Sequence, residues 1–326
     1  GSDASGIVWA VGEKVNRWKV GDEVVIHCNQ DDGGDEQCNG GDPMFSPSQR
    51  IWGYETPDGS FAQFTRVQSQ QLMPRPRHLT WEESACYTLT LATAYRMLFG
   101  HPPHELRPGQ NVLVWGASGG LGSFAIQLVN TAGGNAIAVI SDESKRDFVM
   151  SLGAKSVINR KDFNCWGQMP KVNSSEYVDW MKEARKFGKA IWDTTGKGVN
   201  VDIVFEHPGE STFPISTFVV KKGGMVVICA GTTGYNLTLD ARYLWMNQKR
   251  VQGSHFANLM QASAANQLMY ERRLDPCMSE VFSWNKIPDA HIKMQTNQHK
   301  PGNMAVLVNA QRTGLKTFED VLELSN

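Results

Sequence analysis

The 326-residue chain contains no apolar run approaching the ~18 residues that a membrane span needs, so no membrane partner is expected. It opens without an initiator Met and without a basic-then-apolar targeting segment. It has no charge excess: 32 basic against 33 acidic side chains leave a net charge of -1. That balance gives no bulk attraction to nucleic acid or to an anionic surface. A disulfide framework is missing too. Cys28, Cys38, Cys86, Cys165, Cys229 and Cys277 are scattered, which favours a reducing, cytoplasmic setting. There is no internal repeat and no low-complexity tract. What is present, 41% hydrophobic and 20% charged residues, excludes a disordered or collagen-like chain. At roughly 150 residues per domain, the length suggests about two domains.

The first 80 residues read as a small β-rich unit. Ile7 to Gly12 alternate as a strand, and Val20-Gly21-Asp22-Glu23-Val24-Val25-Ile26 reads as a turn and a second strand. The abrupt start suggests that an N-terminal piece of this unit lies upstream of Gly1. Residues 27–60 are loop-like, rich in Asp, Gly, Asn and Pro. Cys28 and Cys38 fall in that stretch. A structural zinc site takes four ligands, so two lone thiols are read as free and no metal is expected. Thr80 with Glu83 forms a capping box, and the pattern predicts one helix from there through Ala85 and Leu89 to about Phe99.

Beyond Pro108-Gly109 strands and helices alternate. Asn111 to Trp115 is an apolar run of buried-strand type. Further strands are expected at 136–140, 156–158, 203–206, 224–229 and 250–254, and helices at 120–131, 145–152, 174–186 and 214–220. A last helix at 261–271 and a strand at 305–309 follow. This rhythm predicts an α/β protein with a Rossmann, doubly wound parallel sheet beside the β-rich unit.

Gly116-Ala117-Ser118-Gly119-Gly120-Leu121-Gly122 follows the first of these strands and opens a helix. Glycines at 116, 119 and 122 permit a tight turn and close approach to a pyrophosphate, which the helix N-terminus attracts. The next strand ends in Ser141, with Asp142 and Glu143 just beyond, Lys145 close by and Arg160 after the third strand. An NAD site usually ends that strand in an acid for the ribose 2′-hydroxyl. A hydroxyl plus two cations suits a 2′-phosphate instead, so the expected cofactor is NADPH. The alternative is that Lys145 and Arg160 are solvated surface charges. His207, after a core strand, lies at the carboxyl edge where cofactors dock, and is read as close to the nicotinamide.

These features resemble the medium-chain dehydrogenase/reductase superfamily. The resemblance rests on Val20-Gly21-Asp22-Glu23-Val24, Thr93-Ala94-Tyr95 and the Gly116–Gly122 turn. It implies a GroES-like catalytic domain formed by both chain ends, 1–91 and 261–326, around a Rossmann domain at 92–260. Zinc-dependent members carry Gly-His-Glu where this chain has Gly1-Ser2-Asp3, and a cysteine where it has Leu89. The chain therefore resembles a zinc-free branch. Within it, Trp52-Gly53-Tyr54-Glu55-Thr56, Phe205-Glu206-His207-Pro208-Gly209, Arg242-Tyr243-Leu244-Trp245-Met246 and Gly253-Ser254-His255-Phe256-Ala257-Asn258 are similar to the crotonyl-CoA carboxylase/reductase family.

That resemblance implies NADPH-dependent reductive carboxylation of crotonyl-CoA to ethylmalonyl-CoA by a homotetramer. The family's CO2 pocket uses Asn, Phe, Glu and His. Tyr54-Glu55 matches the Phe-Glu pair and His255 the histidine, while the Asn would lie upstream of Gly1. Arg242 and Tyr243 match positions that hold the adenine end of CoA. The basic run 182–189 would be a further source of cations for CoA, or simply a solvated face. Without the resemblance, His255 reads as a structural histidine, Glu55 as a surface charge and Tyr54 as packing. Two other functions stay open: an enoyl-CoA reductase that protonates the enolate, and a non-catalytic NADPH-binding protein.

Overall fold

The computed structural model describes residues 1–308 and 310–323, and the expected strand end at Asn309 lies outside them. Contacts divide the chain into two compact units, Gly1–Thr93 with Phe256–Asn326, and Ala94–His255.

The first unit starts with β1 (Ser5–Ile7) and β2 (Glu23–Ile26), antiparallel with Ser5 opposite Val25. The short strands β3 (Asn29–Gln30) and β4 (Arg50–Ile51) pair with each other, and β5 (Leu72–Pro74) pairs with the other edge of β2. Strand alternation turns Val24 and Ile26 to one face, where they pack with Val8, Trp52 and Leu72. β1 is shorter than the alternating run 7–12 predicts. Val8 still donates its N–H to Asp22 O and accepts from Gly21, but Trp9 and Val11 are exposed and no strand pairs beyond Val8.

The expected single helix over 80–99 is two, α1 (Trp81–Ser84) and α2 (Thr88–Phe99). The capping box forms as anticipated. Glu83 N–H donates to Thr80 Oγ1 at 3.2 Å, and Thr80 N–H donates to Glu83 Oε2 at 2.8 Å. The break follows from Asp3. Its Oδ1 accepts the Leu89 N–H at 2.6 Å and the Thr88 hydroxyl, so α2 begins on a carboxylate from a distant part of the chain. Burial pushes that carboxyl up to about 6, against the pull of the same hydrogen bonds.

The second unit contains β6 (Asn111–Val114), α3 (Gly120–Thr131), β7 (Asn135–Ile140), α4 (Arg146–Ser151) and β8 (Ser156–Asn159). Then come α5 (Ser175–Thr195), β9 (Val201–Glu206), α6 (Phe213–Val219), β10 (Val220–Ile228), α7 (Ala241–Trp245) and β11 (Arg250–Gly253). All six strands are parallel, in the order β8-β7-β6-β9-β10-β11. The order of chain growth reverses between β6 and β9, and that is where doubly wound sheets open a ligand crevice. α5 runs nine residues past the expected end at 186. Its apolar stripe of Trp180, Met181, Ala184, Phe187 and Ile191 continues at helical spacing into the core. Gly196, at φ +103°, caps its end.

The chain then returns to the first unit with α8 (Leu259–Tyr270), β12 (Met278–Ser283), α9 (Ile287–Gln295), β13 (Asn303–Leu307) and α10 (Phe318–Glu323). β12 and β13 pair in parallel around α9. No helix among the described residues is long and apolar enough to cross a membrane.

Removing one half of the capping box tests the helix assignment. Thr80→Ala should lower the unfolding free energy by about 1 kcal/mol in a urea titration, and an unchanged midpoint would count against the cap.

Candidate active site

β6 carries the chain into the glycine turn at the switch point. Ala117 N–H donates to Val139 O at 3.2 Å, and Gly119 N–H closes the turn on Gly116 O at 2.9 Å. Gly116 sits at φ +52°, a left-handed conformation that glycine adopts freely. A Cβ on Gly122 would collide with the Gly116 carbonyl and with Ala117 Cα, so α3 can approach the turn this closely only through glycine. Gly119 caps α3 without a side-chain hydrogen bond. The first N–H groups of the helix, on Gly120, Leu121 and Gly122, therefore face outward with the positive end of the helix dipole. Ser118 lies buried inside the same turn.

At the end of β7 the acids are already occupied. Asp142 Oδ1 accepts the Ser144 N–H at 3.1 Å and the Ser144 hydroxyl at 2.8 Å, and Oδ2 meets Lys161 Nζ at 3.1 Å. These partners hold the Asp142 carboxyl down at about 2. Glu143 pairs with Arg146. Ser141 and Lys145 lie half-buried on the same short stretch. The Arg160 guanidinium lies over the Trp166 ring, 5.1 Å from the centroid. Its neighbour Lys161 reaches the end of β7 instead.

Glu206 and His207 leave β9 beside the turn. Glu206 is fully buried. Its Oε1 accepts from Gly209 N–H at 3.1 Å and Thr212 Oγ1 at 2.7 Å, and its Oε2 accepts the Ser216 hydroxyl. Ser216 Oγ in turn accepts the Trp115 indole N–H at 2.8 Å. Burial nevertheless raises the Glu206 carboxyl to about 7. His207 Nε2 lies 3.0 Å from Trp115 O, and burial depresses its imidazole to about 4. Its ring is thus directed at the turn backbone.

The residues matched to the CO2 pocket lie in different units. Tyr54 and Glu55 share one exposed turn of the first unit after β4, where Glu55 Oε2 accepts the Ile51 N–H at 2.8 Å. Gly53 opens this turn at φ +79°. Tyr54 is 82% exposed. His255 is exposed just beyond β11, at the end of the second unit, next to Ser254, whose hydroxyl bonds His101 Nε2 at 3.0 Å.

Arg242 and Tyr243 sit on α7. The Arg242 guanidinium forks onto Asp240, with Nε to Oδ1 at 3.0 Å and Nη2 to Oδ2 at 2.6 Å, yet about half of its side chain stays exposed. Tyr243 packs edge-on to Phe218 at 5.3 Å. It lines a cleft of about 900 Å³ together with Trp192, Phe218, Arg185, Lys189, Lys222 and Lys249. The basic run 182–189 divides accordingly. Lys182 and Lys186 pair with Asp179 and Glu183 on the same helix, while Arg185 and Lys189 face the cleft.

A glycine turn at a Rossmann switch point, joined to a second unit made from both chain ends, defines a nicotinamide-dependent dehydrogenase/reductase of the medium-chain type. The alcohol dehydrogenase GroES-like domain family matches residues 1–77, and the zinc-binding dehydrogenase family matches residues 120–271. The crotonyl-CoA carboxylase/reductase of Cereibacter sphaeroides is 84% identical over 323 residues, covering 99% of this chain and 75% of that protein. A solved crotonyl-CoA carboxylase/reductase superposes with a TM-score of 0.98 at 78% identity, covering 99% of this chain and 76% of the other. The 2-octenoyl-CoA carboxylase reductase CinF, solved with NADP and 2-octenoyl-CoA, matches at a TM-score of 0.88 and 40% identity, over 100% of this chain and 71% of its own. The chain belongs to the crotonyl-CoA carboxylase/reductase family.

The zinc implied by the second family's description does not fit here. Ser2 and Leu89 stand where zinc-dependent members carry ligands, and Leu89 offers no donor side chain. Asp3 spends its Oδ1 on the Leu89 N–H and the Thr88 hydroxyl. Among the described residues, Asp32, Asp35 and Cys38 do bring their ligand atoms within 4.8 Å of one another. Asp35 there braces its own loop, accepting from Gln37 N–H, Cys38 N–H and the Ser46 hydroxyl.

The buried carboxyl beside the turn gives a pH signature. Its folded value is raised above the ordinary 4.5 to about 7, so its stabilising contribution is complete at low pH and is lost as pH rises through 7. Wild-type protein should lose stability between about pH 5 and pH 8 that Glu206→Gln does not lose. Parallel curves of melting temperature against pH for the two proteins would refute this.

Proposed function

We propose that this chain catalyses the NADPH-dependent reductive carboxylation of crotonyl-CoA to ethylmalonyl-CoA. The reading is carried by the 84% identity to the Cereibacter sphaeroides enzyme across 99% of the chain. The glycine turn supports it, since at the end of β7 Asp142 already holds Lys161 and Ser144, which sets a cation beside the acid. In this reading Gly116, Ser118, Gly119, Gly120, Leu121 and Gly122 hold the pyrophosphate, and Ser141 and Lys145 bind the 2′-phosphate. Arg160, whose guanidinium lies over Trp166, and its neighbour Lys161 add further cations after the third strand.

NADPH supplies a hydride to the β-carbon of the enoyl thioester. The α-carbon then carries the electron pair, and bond formation to CO2 gives the malonyl carboxylate without a proton from solvent. The chain's own residues must therefore hold CO2 aligned and keep water from the α-carbon. His255 donates a hydrogen bond to a CO2 oxygen as negative charge develops there. Tyr54 and Glu55 are the other residues of this chain assigned to CO2 capture in this reading. Arg242 and Tyr243 take the adenine end of CoA. The cations beside Tyr243 in its cleft suit the 3′-phosphate. The protein acts as a homotetramer in the cytoplasm.

Supplying NADPH, crotonyl-CoA and labelled bicarbonate tests the reaction. Label should appear in the acyl product, and His255→Asn should divert product towards butyryl-CoA. Label-free butyryl-CoA from the wild type would leave only an enoyl-CoA reductase. Lys145→Ala should raise KM for NADPH by about tenfold or more while leaving that for NADH nearly unchanged, and equal changes would remove Lys145 from the 2′-phosphate site.

A further inference from the structure

We propose that His207 is a positioning residue for the cofactor: its imidazole is the wedge that sets the shape of the Gly116–Gly122 turn, and buried Glu206 holds the wedge in place. The proposal rests on the reading that NADPH binds at this turn.

The contact is close and leaves little choice. A Cβ built on Gly116 would lie 2.5 Å from His207 Nε2 and 2.6 Å from Cε1, so the imidazole fills the volume any side chain there would need. Trp115 O can only accept, and it lies 3.0 Å from His207 Nε2. Nε2 therefore carries the proton, which selects one neutral tautomer and one ring orientation. With its imidazole depressed to about 4, His207 remains neutral in the cell.

Glu206 braces the same point from beneath. Its two oxygens hold Gly209, Thr212 and Ser216, which fixes the backbone that leaves His207. Ser216 Oγ also accepts the Trp115 indole N–H. Trp115 is thereby gripped twice, by its carbonyl through His207 and by its indole through the Glu206 network. The grip passes on to the anion site. Gly116 O closes the turn by accepting from Gly119, and it abuts the face of Gly122 in the first turn of α3. Displacing Gly116 thus moves the N–H groups offered to the pyrophosphate.

A double-mutant cycle on NADPH affinity tests the wedge, with melting temperatures confirming that each variant is folded. Gly116→Ala should weaken NADPH binding by about tenfold or more, and His207→Ala by about three- to tenfold. The double variant should bind better than Gly116→Ala alone, because the added methyl enters the space the imidazole vacates. His207→Gln, whose amide can still donate to the Trp115 carbonyl, should retain more affinity than His207→Ala. For the His207 variants the KM for NADPH should rise by about the same three- to tenfold as the binding constant. Losses that multiply in the double variant would overturn the wedge, and so would a fall in kcat with unchanged NADPH affinity. Wild-type protein that binds no NADPH would instead overturn the cofactor reading.

Discussion

The parallel register of β6 against β9 is the constraint on which the cofactor site depends. Val112 lies opposite Ile203 and Val114 opposite Phe205, so both strands end at the same level. Strand alternation then sends Glu206 into the core and His207 to the other side, against the start of the glycine turn. A slip of one residue would exchange those faces, leaving a carboxylate at the phosphate turn and an imidazole among Thr212 and Ser216. The buried apolar surfaces of both strands hold the register, with Val112, Leu113, Val114, Ile203, Val204 and Phe205 all fully or almost fully buried.

Acids and cations are paired off around the end of β7. Asp142 and Glu143 stand where an acid would favour the other dinucleotide, yet each is neutralised locally, by Lys161 and Arg146 respectively. Exposed pairs of this kind contribute little stability. Their effect here is to set a cation beside each acid at the end of β7. At the far end of the same sheet, Arg185, Lys189, Lys222 and Lys249 gather around an aromatic-walled cleft in a chain whose net charge is only -1. Both arrangements concern where charges sit, which a total cannot reveal.

Short-range signals were legible. The capping box at Thr80 and Glu83 and the helix at Gly120–Thr131 appear as read, because caps and glycine turns are decided by neighbours in sequence. The failures share one origin. The helix from Thr80 breaks because Asp3, far away in the chain, takes the Leu89 N–H. α5 outruns its expected end because its apolar stripe continues past Gly188 to Ile191 and packs into the core. The stacking of Arg160 on Trp166 and the pairing of Lys161 with Asp142 at the end of β7 are likewise contacts made in a folded loop.

The sequence by itself determined the class of fold, the position of the glycine turn and, through its motifs, the family, since each depends on residue type at fixed local spacing. Only the tertiary structure decided which acids are already paired, which cation reaches the end of β7, and that a histidine fills the space Gly116 leaves empty. Those outcomes depend on strand register and on contacts between residues tens of positions apart, and periodicity along the chain carries no record of them.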